Sequence, residues 1–366
     1  LAAIHGSLLF WCMPLLLLPA SGQAQGHPRR VILFLADGAG AGHWGLATHI
    51  IDQPAVSRFP VTGLVDTRGA GHVVTESAAG ATALATGVRT FYGGLSVGPD
   101  SLPRATVLEV AGQVGLATGM VTTTSWLDAT PAAFVTHSAR RRATQRILEG
   151  FLSVRPTVVL AGGGRALARR LPPDSGLAAD RFRTLYTVVR SAAELAAVEL
   201  DTVTALLGLL ADGDLPLAPA RDPSLADLTE VALRILDRDP EGFFLLVENE
   251  ETDTQAHAHA PLPVLAAEMR AFDDAVRAGL RYQARNPGTL IVVTGDHETG
   301  GLALARQSDS LFLAYHTTDH TAELVPLFAQ GPGAERFGGL LTNEQVGQRL
   351  IAAVRGRAGP APDGGH

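Results

Sequence analysis

The side chains available for chemistry in this sequence are oxygen and imidazole donors. No lysine occurs among the 366 residues, so all 29 basic residues are arginine, and Cys12 is the single cysteine. These absences exclude a Schiff-base lysine, the phosphate lysine of a P-loop, a thiolate zinc site, a disulfide framework and a cysteine nucleophile. A metal would have to be held by the 36 carboxylates and 12 histidines, which suit zinc or harder divalent cations. Three apolar runs lead directly into such donors: Val31 to Leu35 into Asp37, Phe243 to Val247 into Glu248, and Ile291 to Val293 into Asp296-His297. Any one of these, Asp37 included, reads as readily as a turn residue. Their recurrence points to one shared site. Asp253 and His257 are four apart, a helical spacing suited to two ligands of one ion. His259 would then point elsewhere, and His316 and His320, in a Thr-rich loop, read as ligands or as surface residues.

Ser77 is the nucleophile candidate. It precedes a small-residue stretch, Ala78-Ala79-Gly80-Ala81, and a helix starting there would aim free N–H groups and a positive dipole end at the hydroxyl. The alternative is that Ser77 is only an N-cap. With so many metal donors at hand, a metal rather than a histidine would activate the hydroxyl. Asp128-Ala129-Thr130-Pro131 and Arg140-Arg141-Arg142 read either as a helix start and a solvated face, or as oxygen donors with a guanidinium fork for two phosphoryl oxygens.

The elements that must position these residues are legible in the patterning. Apolar runs at Val31 to Leu35, Val61 to Val65, Thr118 to Thr122, Thr157 to Leu160, Phe243 to Val247 and Leu290 to Val293 alternate with helical periodicities. This predicts an α/β fold: a central, mostly parallel sheet sandwiched between helices, whose strand ends can gather distant residues. Leu262, Leu265, Met269, Phe272, Val276 and Leu280 share a helical face, and Ser224 with Asp227 predicts a capped helix reaching Leu236. Gly162 to Leu217, rich in Ala, Gly and Pro, reads as a peripheral excursion. Leu8 to Leu18, followed by small residues, predicts an export leader at 1–26, cleaved to leave a periplasmic or secreted protein with no membrane attachment. One α/β domain at 27–355 and a disordered tail at 356–366 complete the expected organisation. The net charge of -7, without basic runs beyond the arginine triplet, argues against a nucleic-acid partner.

Taken in order, Asp37-Gly38-Ala39-Gly40, Thr75-Glu76-Ser77-Ala78-Ala79, Asp128-Ala129-Thr130-Pro131-Ala132-Ala133, the run ending in Glu248, Asp253 with His257, Thr294-Gly295-Asp296-His297 and His320-Thr321-Ala322 resemble the metal-dependent alkaline phosphatases. The resemblance implies a phosphoric monoester hydrolase that works through a phosphoserine on Ser77, with small-molecule phosphate monoesters as substrates and inorganic phosphate as product. It implies Asp253, His257 and His320 on one Zn2+, and Asp37, Asp296 and His297 on a second. One Mg2+ would take Asp37, Thr130 and Glu248, with Asp128 reaching it through water. Arg141 matches the substrate-clamping arginine, and Glu76 would orient it. Two departures stand out: Glu76 where members commonly have aspartate, and Thr254 where many have lysine or histidine. The resemblance implies a homodimer, with a monomer as the alternative. The competing readings are a phosphodiesterase or sulfatase on the same scaffold, or a non-catalytic metal- or phosphate-binding relative.

Overall fold

A computed structural model describes residues 28–171, 176–307 and 310–356. The expected leader, and the expected tail beyond Gly356, lie outside the described residues. Ten strands form one sheet: β1 Arg30–Ala36, β2 Val61–Asp66, β3 Ala117–Ser125, β4 Val158–Gly162, β5 Thr187–Val189, β6 Leu206–Leu209, β7 Phe243–Asn249, β8 Thr289–Thr294, β9 Val325–Gln330 and β10 Gly339–Thr342. Their order across the sheet is β10-β2-β9-β8-β1-β7-β3-β4-β6-β5. Strand β9 runs antiparallel to β8 and β2, and the other pairs of this sheet are parallel.

Helices cover both faces, which is why the central strands are apolar on both sides. Those that matter to the site or its support are α1 Ser77–Thr86, α2 Ala129–Ala133, α3 Leu225–Leu236, α4 Glu251–His257, α5 Leu262–Arg285 and α6 Asn343–Val354. Alternate residues of β1 enter different cores. Val31, Leu33 and Leu35 pack with Leu84 of α1 and Val346 and Leu350 of α6. Ile32 and Phe34 pack with Leu228 of α3 and Met269, Phe272 and Val276 of α5. The periodic face predicted for α5 is therefore its buried one, and each such side chain contributes about 1.5–3 kcal/mol of apolar burial. Ser224 and Asp227 cap α3 reciprocally, as their spacing predicts. No helix of the described residues is long and apolar enough to cross a membrane.

The register sets the site. Leu35 of β1 lies opposite Glu248 of β7 and Thr294 of β8, and Thr122 of β3 lies opposite Glu248. Strands β1, β7 and β8 thus end at one level while β3 runs on to Ser125, and the polar residues at these ends share one edge. The peripheral reading of 162–217 needs correction: Leu206–Leu209 is a fully buried strand of the main sheet, and Asp214 accepts from Thr124 Oγ1 and Ser125 N, both at 2.9 Å. A four-residue strand interrupted by Gly208 leaves too short a periodic signal to read.

Candidate active site

The carboxyl ends of β1, β7 and β3 deliver Asp37, Glu248 and Asp128 to one cleft, with α4 adding Asp253 and His257 and the loop before β9 adding His320, while Asp296-His297, after β8, are fully buried beside them. Gly38 makes the sharp turn after Asp37 at φ +68°. A Cβ there would stand 2.7 Å from Asp253 Oδ1, so only glycine lets Asp37 and Asp253 come this close.

His257, His320 and Asp253 form the outer cluster. His257 Nε2 is 3.0 Å from His320 Nε2 and 3.3 Å from Asp253 Oδ2, while His320 Nε2 is 3.6 Å from Asp253 Oδ1. The far nitrogens are held by carbonyls, His257 Nδ1 by Thr318 at 2.6 Å and His320 Nδ1 by Thr75 at 2.8 Å. Because Nδ1–H donates in each ring, the Nε2 atoms converge on one point and would turn lone pairs to a metal once unprotonated. Burial opposes the charge on Asp253, but His257, His297 and Thr299 hold its carboxyl below the usual range, and the hydrogen bond to Asp253 pushes His257 up to about 9. Positive charge is favoured at this point, and a divalent cation there would replace the proton.

His297 joins this cluster to an inner one. Its Nε2 lies 3.5 Å from Asp37 Oδ1, 3.3 Å from Asp296 Oδ2 and 3.3 Å from Ser77 Oγ, and its ring stacks on His320 with centroids 3.8 Å apart. Ligand atoms of Asp37, Asp296 and His297 fall within 4.8 Å of one another, as do those of Asp253, His297 and His320. Burial pushes His297 down to about 4 and Asp296 up to about 7, the latter helped by the charge of Asp253. Burial also raises Asp37 well above the usual range, together with Asp296, Asp253 and Glu248. Glu248 rises to about 8, through burial and the charges of Asp128 and Asp296, against the Thr122 hydroxyl that donates to its Oε2 at 2.5 Å.

Four oxygens at this edge are buried and take part in no hydrogen bond: Asp37 Oδ1, Asp296 Oδ2, Glu248 Oε1 and Thr130 Oγ1. The Thr130 hydroxyl approaches Glu248 without reaching good hydrogen-bond geometry. Buried polar atoms are normally paired, and oxygens left bare beside neutral imidazoles are what divalent cations bind. The donor set therefore fits metal ions.

Ser77 is the first residue of α1, not its cap. Glu76 is the N-cap, accepting from Ala78 N at 3.1 Å and Ala79 N at 2.9 Å. The capping alternative for Ser77 falls away, which leaves its hydroxyl free to face His297 at the positive end of a ten-residue helix. Glu76 also accepts from Gly93 N and from Arg141 Nη1 at 2.7 Å, and Arg141 Nη2 bonds Asp128 Oδ1 at 3.0 Å. Burial works against the charge of both partners, but Gly93 N, Arg141 and the α1 N–H groups keep Glu76 below the usual carboxylate range. Arg141 lines the cleft, whereas Arg140 and Arg142 are exposed outside it. Asp128 caps α2 through Ala129 N, and Thr130 and Pro131 sit in that buried turn.

Other residues settle into ordinary roles or were missed. His259 bonds Thr317 O and stacks on Tyr315. His316 does not line the cleft. Gly94-Leu95-Ser96-Val97-Gly98 fits the G-x-S-x-G nucleophile pattern, and Ser96 has φ 44°. Yet Ser96 is fully buried, its Oγ donates to Ala133 O, and His137 bonds its carbonyl instead of its hydroxyl. The serine-hydrolase geometry is therefore not formed there. Glu250 and Asp319 line the cleft without having been singled out by spacing, since each sits in a polar loop whose charges look solvated.

A family profile described as alkaline phosphatase matches residues 28–315. The chain is 33% identical to streptomycin-6-phosphate phosphatase of Streptomyces griseus over 408 aligned positions, covering 89% of this chain and 90% of that protein. Among solved structures, alkaline phosphatase from the Antarctic bacterium TAB5 superposes with a TM-score of 0.84 at 28% identity, over 90% of this chain and 99% of its own. A variant of the TAB5 enzyme with magnesium in its M3 site matches at 0.82 and 27%, over 91% and 99%.

Proposed function

The chain belongs to the alkaline phosphatase family, and from that premise we propose that it hydrolyses phosphate monoesters through a phosphoserine on Ser77. The observation that carries this reading is the position of Ser77 Oγ: at the start of α1, 3.3 Å from His297 Nε2, in the cleft that Arg141 lines. Asp253, His257 and His320 would hold one zinc ion, and Asp37, Asp296 and His297 a second. Asp37, Glu248 and Thr130, with Asp128 at one remove, would hold magnesium, in keeping with their hard oxygens. When bound, such ions supply the charge that lowers the pKa of the serine hydroxyl and of a water, and that offsets charge on the leaving oxygen.

The protein's own residues do the rest. Arg141, fixed between Glu76 and Asp128, presents its fork to two non-bridging phosphoryl oxygens. The N–H groups and dipole at the start of α1 favour the dianion beside Ser77. Ser77 Oγ attacks phosphorus in line and the alcohol departs. Water then attacks the phosphoserine from the vacated side, releasing inorganic phosphate and restoring the hydroxyl. We further propose that the protein is exported, on the strength of the Leu8 to Leu18 run. N-terminal sequencing of the protein recovered outside the cytoplasm, beginning near residue 27, would bear this out.

The function is tested by comparing p-nitrophenyl phosphate with bis-p-nitrophenyl phosphate and p-nitrophenyl sulfate. The monoester should have the highest kcat/KM, and a higher value on either competitor sinks the assignment. Ser77→Ala should keep its metal content while losing about 10^4-fold in kcat. Retained turnover would remove Ser77 as nucleophile.

A further inference from the structure

Glu250 lies two residues beyond Glu248, between β7 and α4. Its backbone N–H donates to Thr123 Oγ1 at 3.0 Å and its Oε1 accepts from Thr254 Oγ1 at 2.6 Å, so the residue is held at both ends. Its second oxygen takes no hydrogen bond from a described residue. The charged groups that bear on it most are Asp128, Glu251 and Glu248, all negative. Arg141, the guanidinium lining the same cleft, is already bonded to Glu76 and Asp128. Clustered carboxylates alone would not define a site. Here, however, Thr130 Oγ1 and Glu248 Oε1, on side chains 2% and 0% exposed, end unpartnered in the same cleft. Charge crowded into a partly buried cleft without compensation is costly, and a hard divalent cation with oxygen donors removes that cost.

We infer that Glu250 is a further carboxylate of the magnesium site formed by Glu248, Thr130 and Asp128, acting on the ion directly or through one water, with Thr254 as the residue that holds it in place. The inference rests on the metal-site reading proposed above. It assigns a task to Thr254, which departs from the lysine or histidine of many family members: its hydroxyl fixes an extra negative donor where those residues would bring a positive one.

The test is Mg2+ titration of the zinc-loaded protein by calorimetry, without substrate. Glu250→Gln should weaken the Mg2+ Kd about tenfold, and Thr254→Val, which keeps the carboxylate but frees it, severalfold. Zinc content should stay at the wild-type value in both. Thermal midpoints of the chelated variants should be no lower than wild type, since neither change exposes core. An unchanged Kd in Glu250→Gln overturns the role of Glu250, and so does a loss of zinc together with magnesium, which would place the carboxylate elsewhere in the site. No Mg2+ binding by the wild-type protein overturns the magnesium site itself, a result distinct from the failure of Glu250 alone.

Discussion

Two groups of buried charge lie on either side of Asn249 and are treated in opposite ways. Behind it, Glu268 of α5 is fully buried, and each of its oxygens is used. Arg221 Nη2 reaches them at 3.3 and 3.0 Å, Ala218 N donates to Oε1 at 2.7 Å, and Asn249 Nδ2 donates to Oε2 at 3.2 Å. In front of it, Asp37, Glu248 and Asp296 are equally buried, yet each leaves an oxygen bare, and His297, the imidazole beside Asp37 and Asp296, is kept neutral by burial. The carboxylate of the first group is closed by the chain itself, although Arg221 Nη1 keeps no partner. The second is left open, which in a folded protein means that something from outside closes it.

The largest effect that could break this contrast comes from Asp37, the carboxylate common to the inner cluster and the proposed magnesium site. Asp37→Asn should lower kcat by about four orders of magnitude, because charge stabilisation by bound ions is worth several kcal/mol. In the same variant the thermal midpoint of the chelated protein should rise, since a buried like charge is removed. A fall in that midpoint would mean that Asp37 is structurally satisfied and the site is not open. Next in size is the closed pair: Arg221→Leu leaves Glu268 buried without its cation and should cost about 3–5 kcal/mol in chemical denaturation. Zinc bound per folded molecule should be unchanged. A cost below about 1 kcal/mol would show that the two groups differ less than their hydrogen bonds indicate.

The sequence made the open group legible because its residues terminate long apolar runs, and strand ends converge in a parallel sheet. Asp37, Glu248 and Asp296-His297 follow strands whose every β-branched or aliphatic residue announces them. The closed group was not legible. Arg221 sits in a Pro-rich connection and Glu268 interrupts the apolar face of α5 by one charge, so each looks solvated until the fold brings them together. Glu76 was legible as a partner of Arg141, but not as the cap of α1, because serine is the commoner N-cap and precedes the same alanines. Ser96 is the reverse case: its G-x-S-x-G pattern fits a nucleophile motif, but burial, its Oγ bond to Ala133 O and the bond of His137 to its carbonyl remove that chemistry.

The smallest and sharpest test is the pH dependence of the chelated protein. Asp296 and Glu248 rise to about 7 and about 8 through burial and mutual repulsion, and Asp37 rises with them. Below about pH 6.5 the lowered His297 and His43 oppose these raised carboxyls, because the unfolded chain protonates those imidazoles first. Between about pH 6.5 and about pH 8 the raised carboxyls decide, and the folded protein binds more protons than the unfolded one. Its stability must fall as pH rises across that range. His257 adds to the trend: at about 9 it contributes fully below its unfolded value near 6.5, and loses that contribution as pH passes its folded value. Asp253, held low, works the other way only in acid, where its contribution disappears as pH drops below the usual carboxylate range. Thermal midpoints in chelator should therefore decline from about pH 6.5 to about pH 9. Saturating zinc and magnesium should flatten or reverse the slope, because metal binding requires the deprotonated ligands and strengthens as they lose their protons. A chelated protein whose stability rose with pH over this interval would show that the strand-end carboxylates are paired within the chain, as Glu268 is, and that no cation is needed to complete them.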